Sequence, residues 1–102
     1  MSVLHIVNKS PYERNALDSC LRLSRQDSAI LLIEDGIYAA QKNSSAAARL
    51  SEAAGERKVY VLQPDLDARG IHADQLLDGI ATVDYDGFVE LTTEYDKVQS
   101  WL

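Results

Sequence analysis

Four short apolar runs recur along the chain, at residues 3–7, 29–33, 59–62 and 80–84, and segments with helical spacing separate them. The runs are continuous rather than alternating in hydrophobicity, which is typical of strands covered on both faces. Strands joined through helices pair in parallel, because a parallel connection needs about a dozen residues or more. The pattern therefore predicts an α/β fold, with a small open, mostly parallel sheet of four to five strands flanked by helices on both faces.

Polar residues near these runs predict where the first two helices begin and end. Ser10 is placed to cap a first helix, with Pro11 at its first position and Glu13 completing a capping box. That helix is expected to run to about residue 24. A second helix is predicted over residues 44–55, opened by a serine and ended by the final glycine.

Two shorter helical segments are predicted in the second half of the chain. The stretch PDLDARG, residues 64–70, predicts one turn of helix with proline near its start and glycine at its end. Residues 85–95 predict a last helix. The residues expected to share one face of that helix are Phe88, Val89, Thr92 and Tyr95.

Composition places the chain among single globular domains and excludes several function classes. It has 102 residues, which we treat as one domain over residues 1–102, and a formal net charge of -6. Its basic residues are scattered, and only Arg57 and Lys58 are adjacent, so a clustered positive face for direct binding of nucleic acid is not expected. No charged segment leading into an apolar run opens the chain, and no apolar stretch approaches the roughly 20 residues of a membrane span. We therefore expect a soluble, cytoplasmic protein without a membrane partner.

The residues that follow the predicted strands give no cofactor signature. The chain has no GxGxxG and no Walker-type lysine loop, and its single cysteine belongs to no zinc motif, so we expect no cofactor and no metal. Glu34 and Asp35 follow the second strand beside a glycine, where two carboxylates are more often a helix entry than a catalytic pair. His5 lies in a strand run and His72 in a loop, and we interpret them as packing or surface residues.

Cys20 lies on the apolar side of the predicted first helix. A rotation of about 100° per residue places Arg14, Asp18 and Arg22 on the opposite side. The thiol is about 15 Å from the helix start, too far for the helix end to favour a thiolate. Its neighbours three and four positions away are not basic. Helical geometry therefore favours a packing residue over a nucleophile.

Five segments, taken together and in order, resemble the DsrH/TusB family of sulfur-relay proteins over nearly the whole length of the chain. They are LHIVNKSPY, LLIEDGIYAA, VYVLQPDLDARG, DYDGFVELT and the final QSWL. The most specific parts are EDGIYAA and DLDARG. The resemblance implies a small α/β subunit of the DsrE/DsrF/DsrH type.

The resemblance also implies partners and a role. The family assembles as a heterohexamer with two copies each of a DsrE/TusD-like, a DsrF/TusC-like and a DsrH/TusB-like subunit. Sulfur travels as a persulfide, its principal acceptor is a cysteine of the DsrE/TusD-like partner, and a DsrC/TusE-like carrier lies downstream. Members of the DsrH branch, which serves cytoplasmic sulfur oxidation, carry a cysteine in the first helix, as Cys20 does. We therefore expect the DsrH branch, with a TusB-like role in 2-thiouridine formation at the tRNA wobble position as the alternative.

Several expectations stay open at this point. In the family setting, Cys20 would be an auxiliary persulfide site in a chain that is not catalytic alone. A rival interpretation is an independent sulfurtransferase with the Cys20 thiolate as nucleophile, and a third is a flavodoxin-like module for a small ligand. The apolar residues Trp101 and Leu102 are expected to fold onto the body or to enter an interface.

Overall fold

The structure is a computed structural model, and it describes residues 2–10, 16–23 and 27–101. Within these residues the strands are Val3–Val7 (β1), Ala29–Leu32 (β2), Lys58–Leu62 (β3), Ile80–Val83 (β4) and Lys97–Trp101 (β5). The α-helices are Ala16–Leu23 (α1), Ala47–Glu56 (α2), Gln63–Ala68 (α3) and Tyr85–Glu94 (α4). Two 3₁₀ helices cover Glu34–Ala40 and Ala73–Gln75.

The strands form one sheet in the order β4-β3-β2-β1-β5, and every neighbouring pair in it is parallel. The predicted α/β class and the four predicted strands are confirmed. β5 was not predicted as a separate element, and it lies beside β1, with Val3 opposite Lys97 and Val7 opposite Trp101. One edge strand of the sheet, β5, therefore lies 94 residues further along the chain than its partner β1.

The two faces of the sheet are covered unequally. The path from β1 through β2 and β3 to β4 moves in one direction, so right-handed connections bring α1 and α2 to the same side, and the return to β5 brings α4 to the other. We call the first side the closed face; its core includes Val7, Cys20, Ile30 and Leu50. We call the second the open face; its smaller core consists of Leu4, Ile6, Ala29, Leu31 and Leu91. Helices on both faces confirm the predicted layout.

The second predicted helix begins and ends later than expected. Ser44 precedes it as a buried residue whose Oγ donates to the Ala39 carbonyl (2.8 Å) and accepts from the Ala46 amide (3.2 Å). The prediction that Gly55 ends α2 is wrong, because the helix continues to Glu56 and its C-terminal cap, Arg57, has ordinary extended backbone. Packing of a whole helix outweighs the roughly 1 kcal/mol preference against a helical glycine.

Of the two helices predicted in the second half of the chain, α3 matches its prediction and α4 packs through a different set of residues. The short helix α3 is confirmed, with Gly70 at a φ of 67° after its end. In α4 the buried residue is Leu91, with Phe88 and Tyr95 packed beside it, whereas Val89 is 64% exposed, so its predicted place on the packed face is wrong. The capping residues Pro11 and Glu13 and the predicted end of the first helix lie outside the described residues.

Candidate functional site

Cys20 is packed into the closed face. Its side chain is 0% exposed, and Leu17, one turn earlier on α1, is buried with it. Asp18 and Arg22 lie towards solvent, as the helical spacing predicts. Burial raises the pKa of the Cys20 thiol to about 12, although the positive charge of Arg57 acts in the opposite direction. The thiol is therefore protonated near neutral pH, and the interpretation of Cys20 as a packing residue agrees with this geometry.

Arg57 is the residue that sequence reasoning missed. It directly follows α2, and its side chain is only 9% exposed. Its charge also lowers the pKa of His5, after the larger effect of burial. The sequence shows no cation among the neighbours of Cys20 on its own helix, whereas Arg57 follows a different helix, α2. The available signal was its place in the only adjacent basic pair of the chain, Arg57 and Lys58.

A cleft of about 400 Å³ lies between α1 and α2, and Arg57 lines it together with the apolar side chains of Leu21 and Ala53. One terminal nitrogen of Arg57, Nη2, lies 3.2 Å from the Glu56 carboxylate. The Nε of Arg57 is buried, and no atom of the described residues accepts a hydrogen bond from it. Cys20 belongs to the neighbouring core and is not part of the cleft lining.

His5 and Trp101 connect the first and last strands on the closed face. The indole Nε1 of Trp101 donates to the Nδ1 of His5 at 3.0 Å, and the His5 side chain is buried. Burial lowers the pKa of His5, with Arg57 as the second cause, so the neutral imidazole accepts this bond. The packing interpretation of His5 is confirmed, and Trp101 folds onto the body as expected. His72 is exposed at the start of a 3₁₀ helix.

The acidic pair after β2 has a structural role. Glu34 and Asp35 begin the 3₁₀ helix Glu34–Ala40, which confirms the predicted helix entry. Asp35 pairs with Arg69 at 3.1 Å, and the Glu34 amide donates to the Asp65 carboxylate at 2.6 Å. These contacts join the 3₁₀ helix to α3. Among the described residues, no group of three or more His, Cys, Asp or Glu side chains could hold a metal ion.

The open face carries exposed apolar side chains. Tyr85 and Val89, one turn apart on α4, are 60% and 64% exposed, and Val98 on β5 is 46% exposed. Val98 lies opposite Leu4 in the parallel register, and Leu4 belongs to the open-face core, so Val98 points to the same side. We call Tyr85, Val89 and Val98 the open-face patch.

No helix in the described part of the chain is both long and apolar enough to cross a bilayer.

Comparison with known protein families gives a clear result. The family model described as DsrH like protein matches residues 9–98. The chain belongs to the DsrH-like family. The match confirms, over residues 9–98, the family resemblance noted in the sequence.

Curated relatives of this DsrH-like chain carry the name Protein TusB. The protein from Pectobacterium parmentieri is 36% identical over 99 residues, covering 97% of this chain and 100% of the relative. The protein from Salmonella dublin is 37% identical over 81 residues, covering 79% of this chain and 82% of the relative. The protein from Yersinia enterocolitica is 33% identical over 99 residues, covering 97% and 100%.

Two solved structures share the fold of this DsrH-like chain. The YchN protein from E. coli superposes with a TM-score of 0.84 at 22% identity, covering 98% of both chains. A protein of unknown function from Methanobacterium thermoautotrophicum superposes with a TM-score of 0.75 at 19% identity, covering 96% of both. At these identities the likeness shows a common fold.

Proposed function

We propose that this chain is a TusB-like subunit of a cytoplasmic sulfur relay that serves 2-thiouridine formation at the tRNA wobble position. The observation that carries the proposal is the likeness to proteins named TusB, at 33–37% identity over 79–97% of the chain. We had expected the DsrH branch, because of a cysteine in the first helix. The names of the relatives favour the alternative branch instead.

Within the relay, the chain contributes contact surface rather than chemistry. A working sulfur carrier needs an accessible thiolate, and cations or helix starts are the usual means of forming one. Cys20 is fully buried, and its pKa is raised to about 12. A subunit of this kind supports the transfer reaction by holding its partners in place.

The partners that the family implies are TusD-like and TusC-like subunits, in a heterohexamer with two copies of each chain, and a TusE-like downstream carrier. The open-face patch supports a protein partner, because three large apolar side chains are at least 46% exposed on one side of the sheet. The net charge of -6 supports docking to proteins over direct contact with tRNA.

Co-expression with TusC-like and TusD-like partners tests the assembly. We expect the three chains to copurify and native mass spectrometry to give two copies of each. Val89→Asp places a charge in the open-face patch and should weaken association by about tenfold or more, because a charge buried in an apolar contact is costly. Ser51→Asp adds the same charge to an exposed position of α2 and is the matched control.

Two outcomes would overturn these statements separately. If the unaltered chain does not copurify with either partner, the proposed membership in the relay fails. If the unaltered chain copurifies and Val89→Asp does so equally well, the relay proposal stands and the open-face patch is not the contact surface.

The DsrH-like role in sulfur oxidation is the second candidate, and the observation that favours it is Cys20 in α1. Expression of the chain in a bacterium lacking its own TusB distinguishes the two. The TusB-like role predicts that 2-thiouridine in total tRNA, measured by mass spectrometry of nucleosides, returns towards the normal level. No return, with copurification of DsrE and DsrF from a sulfur-oxidising bacterium, would favour the DsrH-like role.

Cys20 as an auxiliary persulfide site, or as the nucleophile of an independent sulfurtransferase, is tested with a persulfide donor. Mass spectrometry of the treated chain, alone and in the assembled complex, would detect one added sulfur that Cys20→Ser abolishes. We expect no added sulfur on the isolated chain, because the thiol is buried and protonated. Sulfur added to the isolated chain would support the independent enzyme.

A further inference from the structure

The negative charge of the chain is concentrated on α4 and the residues at its two ends. Residues 84–96 contain five of the sixteen acidic residues and none of the ten basic residues. The other 89 residues carry eleven acidic and ten basic residues, so nearly all of the formal net charge of -6 belongs to this one segment. A surface segment with a single sign of charge attracts surfaces of the opposite sign.

Two of the five carboxylates have partners within the chain. Asp84 caps α4, because its Oδ1 accepts a hydrogen bond from the Gly87 amide at 2.7 Å. The Oδ2 of Asp96 accepts a hydrogen bond from the Ser2 amide at 3.0 Å. These two acidic residues therefore stabilise the ends of the segment, and the fold accounts for them.

The other three carboxylates, Asp86, Glu90 and Glu94, form a row along α4 that we call the acidic stripe. They are four residues apart, so they follow one side of the helix, and all three are exposed. No ion pair of the described residues includes any of them. Like charges at this spacing repel one another and destabilise a helix. Cations from outside the chain would relieve that repulsion.

The acidic stripe runs beside the exposed apolar side chains of the same helix. Tyr85 is followed directly by Asp86, and Val89 is 64% exposed one turn later. Glu90 directly follows Val89 and is also exposed. Because Leu91 faces the sheet, the solvent side of α4 presents apolar groups with carboxylates alongside them. An apolar centre with a polar rim is the usual anatomy of a contact between proteins, whereas a free cation would leave the apolar groups uncovered.

The acidic stripe also disfavours several occupants of this surface. A second copy of the chain that docked through its own α4 would bring one acidic stripe against another, and like charges facing each other across an interface are costly. Nucleic acid and anionic lipid surfaces are repelled for the same reason. The charge therefore selects a different protein with a basic contact surface.

We propose that the outer surface of α4 docks a protein whose contact surface surrounds an apolar centre with lysine or arginine side chains. The apolar centre lies against Tyr85 and Val89, and the cations lie against the acidic stripe. This inference rests on the proposed function, because it assigns the basic surface to a relay subunit. It adds the chemistry of the partner, which the exposure of the open-face patch alone does not give.

A neutral variant of the acidic stripe tests the inference. It combines Asp86→Asn, Glu90→Gln and Glu94→Gln, and its dissociation constant from purified TusC-like and TusD-like partners is compared with that of the unaltered chain. In about 0.1 M NaCl the constant should rise by about tenfold or more, because the screening length is about 10 Å. In about 1 M NaCl the screening length is about 3 Å, so the two chains should bind within about twofold of each other. The variant removes repulsion within α4 and should fold, which thermal unfolding checks.

The matched control removes three carboxylates from other parts of the surface. It combines Glu52→Gln, Asp74→Asn and Asp78→Asn, all at exposed positions. Its net charge equals that of the neutral variant, so the comparison separates a local contact from the overall charge. Its dissociation constant should stay within about threefold of the unaltered value in about 0.1 M NaCl.

The inference is overturned if the neutral variant binds the partners as tightly as the unaltered chain does in the lower salt concentration. It is also overturned if the matched control loses as much affinity as the neutral variant. In both cases the unaltered chain still forms the complex, so the proposed function stands.

If the unaltered chain forms no complex with these partners, the proposed function fails, and the isolated ¹⁵N-labelled chain decides the inference. The probe is then a synthetic amphipathic helix of leucine and lysine. Shifts of amide cross-peaks confined to the α4 segment, and lost in the neutral variant, would support the basic docking surface. Unmoved α4 amides, or equal shifts in the neutral variant, would overturn it.

Discussion

The closed and open faces of the same sheet differ in how much of their apolar surface the chain covers by itself. Among the described residues, fifteen form the core of the closed face under α1, α2 and the segments around them, whereas five form the core of the open face, under α4. The large exposed apolar side chains of the described residues, Tyr85, Val89 and Val98, lie on the open side. The closed face therefore holds most of the internal packing, whereas the open face keeps apolar surface exposed.

The largest expected difference concerns access to the closed face. Cys20 in the folded chain should react with a thiol reagent such as DTNB at least about a thousandfold more slowly than in the urea-unfolded chain, because modification requires opening of the core. A chain with Cys20→Ser and Ser51→Cys moves the thiol to an exposed position of α2 and should react rapidly while folded. Rapid reaction of Cys20 in the folded, unaltered chain would mean that the closed face opens readily.

Truncation of one leucine on each face compares their packing directly. Leu50→Ala on the closed face should lower the free energy of unfolding by about 3 kcal/mol or more, since Leu50 is fully buried. Leu91→Ala on the open face should cost about 2 kcal/mol, because its surroundings lie closer to solvent and can relax. Urea unfolding measures both values. An equal or larger cost at Leu91 would contradict the comparison.

Adding a methyl group to one glycine on each side of the sheet compares how much crowding the two faces tolerate. The Cβ of Gly36→Ala would overlap the Val7 carbonyl oxygen, a backbone atom, so a cost of about 2 to 3 kcal/mol is expected. The Cβ of Gly87→Ala would lie 3.1 Å from the Val83 Cβ, a tight contact that a movement of a few tenths of an ångström at the start of α4 relieves. The helical preference of alanine offsets that crowding, so the net cost should stay below about 1 kcal/mol. A well-tolerated Gly36→Ala would show that the backbone there can move.

The smallest expected effects are pH dependences of opposite sign. The folded-state pKa of His5 is below 6.5, so the unfolded chain binds the additional proton first and stability falls as pH drops below about 6.5. Burial raises the pKa of Tyr95 on the open face, and the neighbouring Tyr60 and Glu94 raise it further. The unfolded chain therefore loses this proton first, and the free energy of unfolding decreases as pH rises above 10.

The free energy of unfolding should therefore decrease as pH falls from 7 to about 5.5. Fluorescence of Trp101, the only tryptophan, follows unfolding at each pH. His5→Gln keeps a neutral acceptor for the Trp101 indole and should flatten the profile in that range. An unchanged slope in His5→Gln would assign the effect to another group.

Local sequence signals predicted the parts of the fold that depend on local chemistry. Buried strands such as β1 and β2 are continuously apolar and could be read directly, and the helical wheel placed Cys20 inside. β5 was missed because it is an exposed edge strand of mixed polarity, KVQSW, which carries no buried run. Arg57 was missed as a neighbour of Cys20 because their proximity depends on the packing of α2 against α1. The pairing of β5 with β1 and the proximity of Arg57 to Cys20 both depend on the tertiary arrangement, which a local residue pattern does not encode.

The pairing of β1 with β5 affects how the sheet can be completed during synthesis. Lys97, the partner of Val3 in the sheet, is synthesised 94 residues later, so one edge of β1 stays unpaired while the intervening 93 residues are made. An apolar strand with a free edge is a site where two nascent chains can pair with each other. A ribosome-bound chain that stops before β5 should therefore be more prone to aggregate than the chain that includes it, and the bond from Trp101 to His5 marks the moment at which that exposure ends.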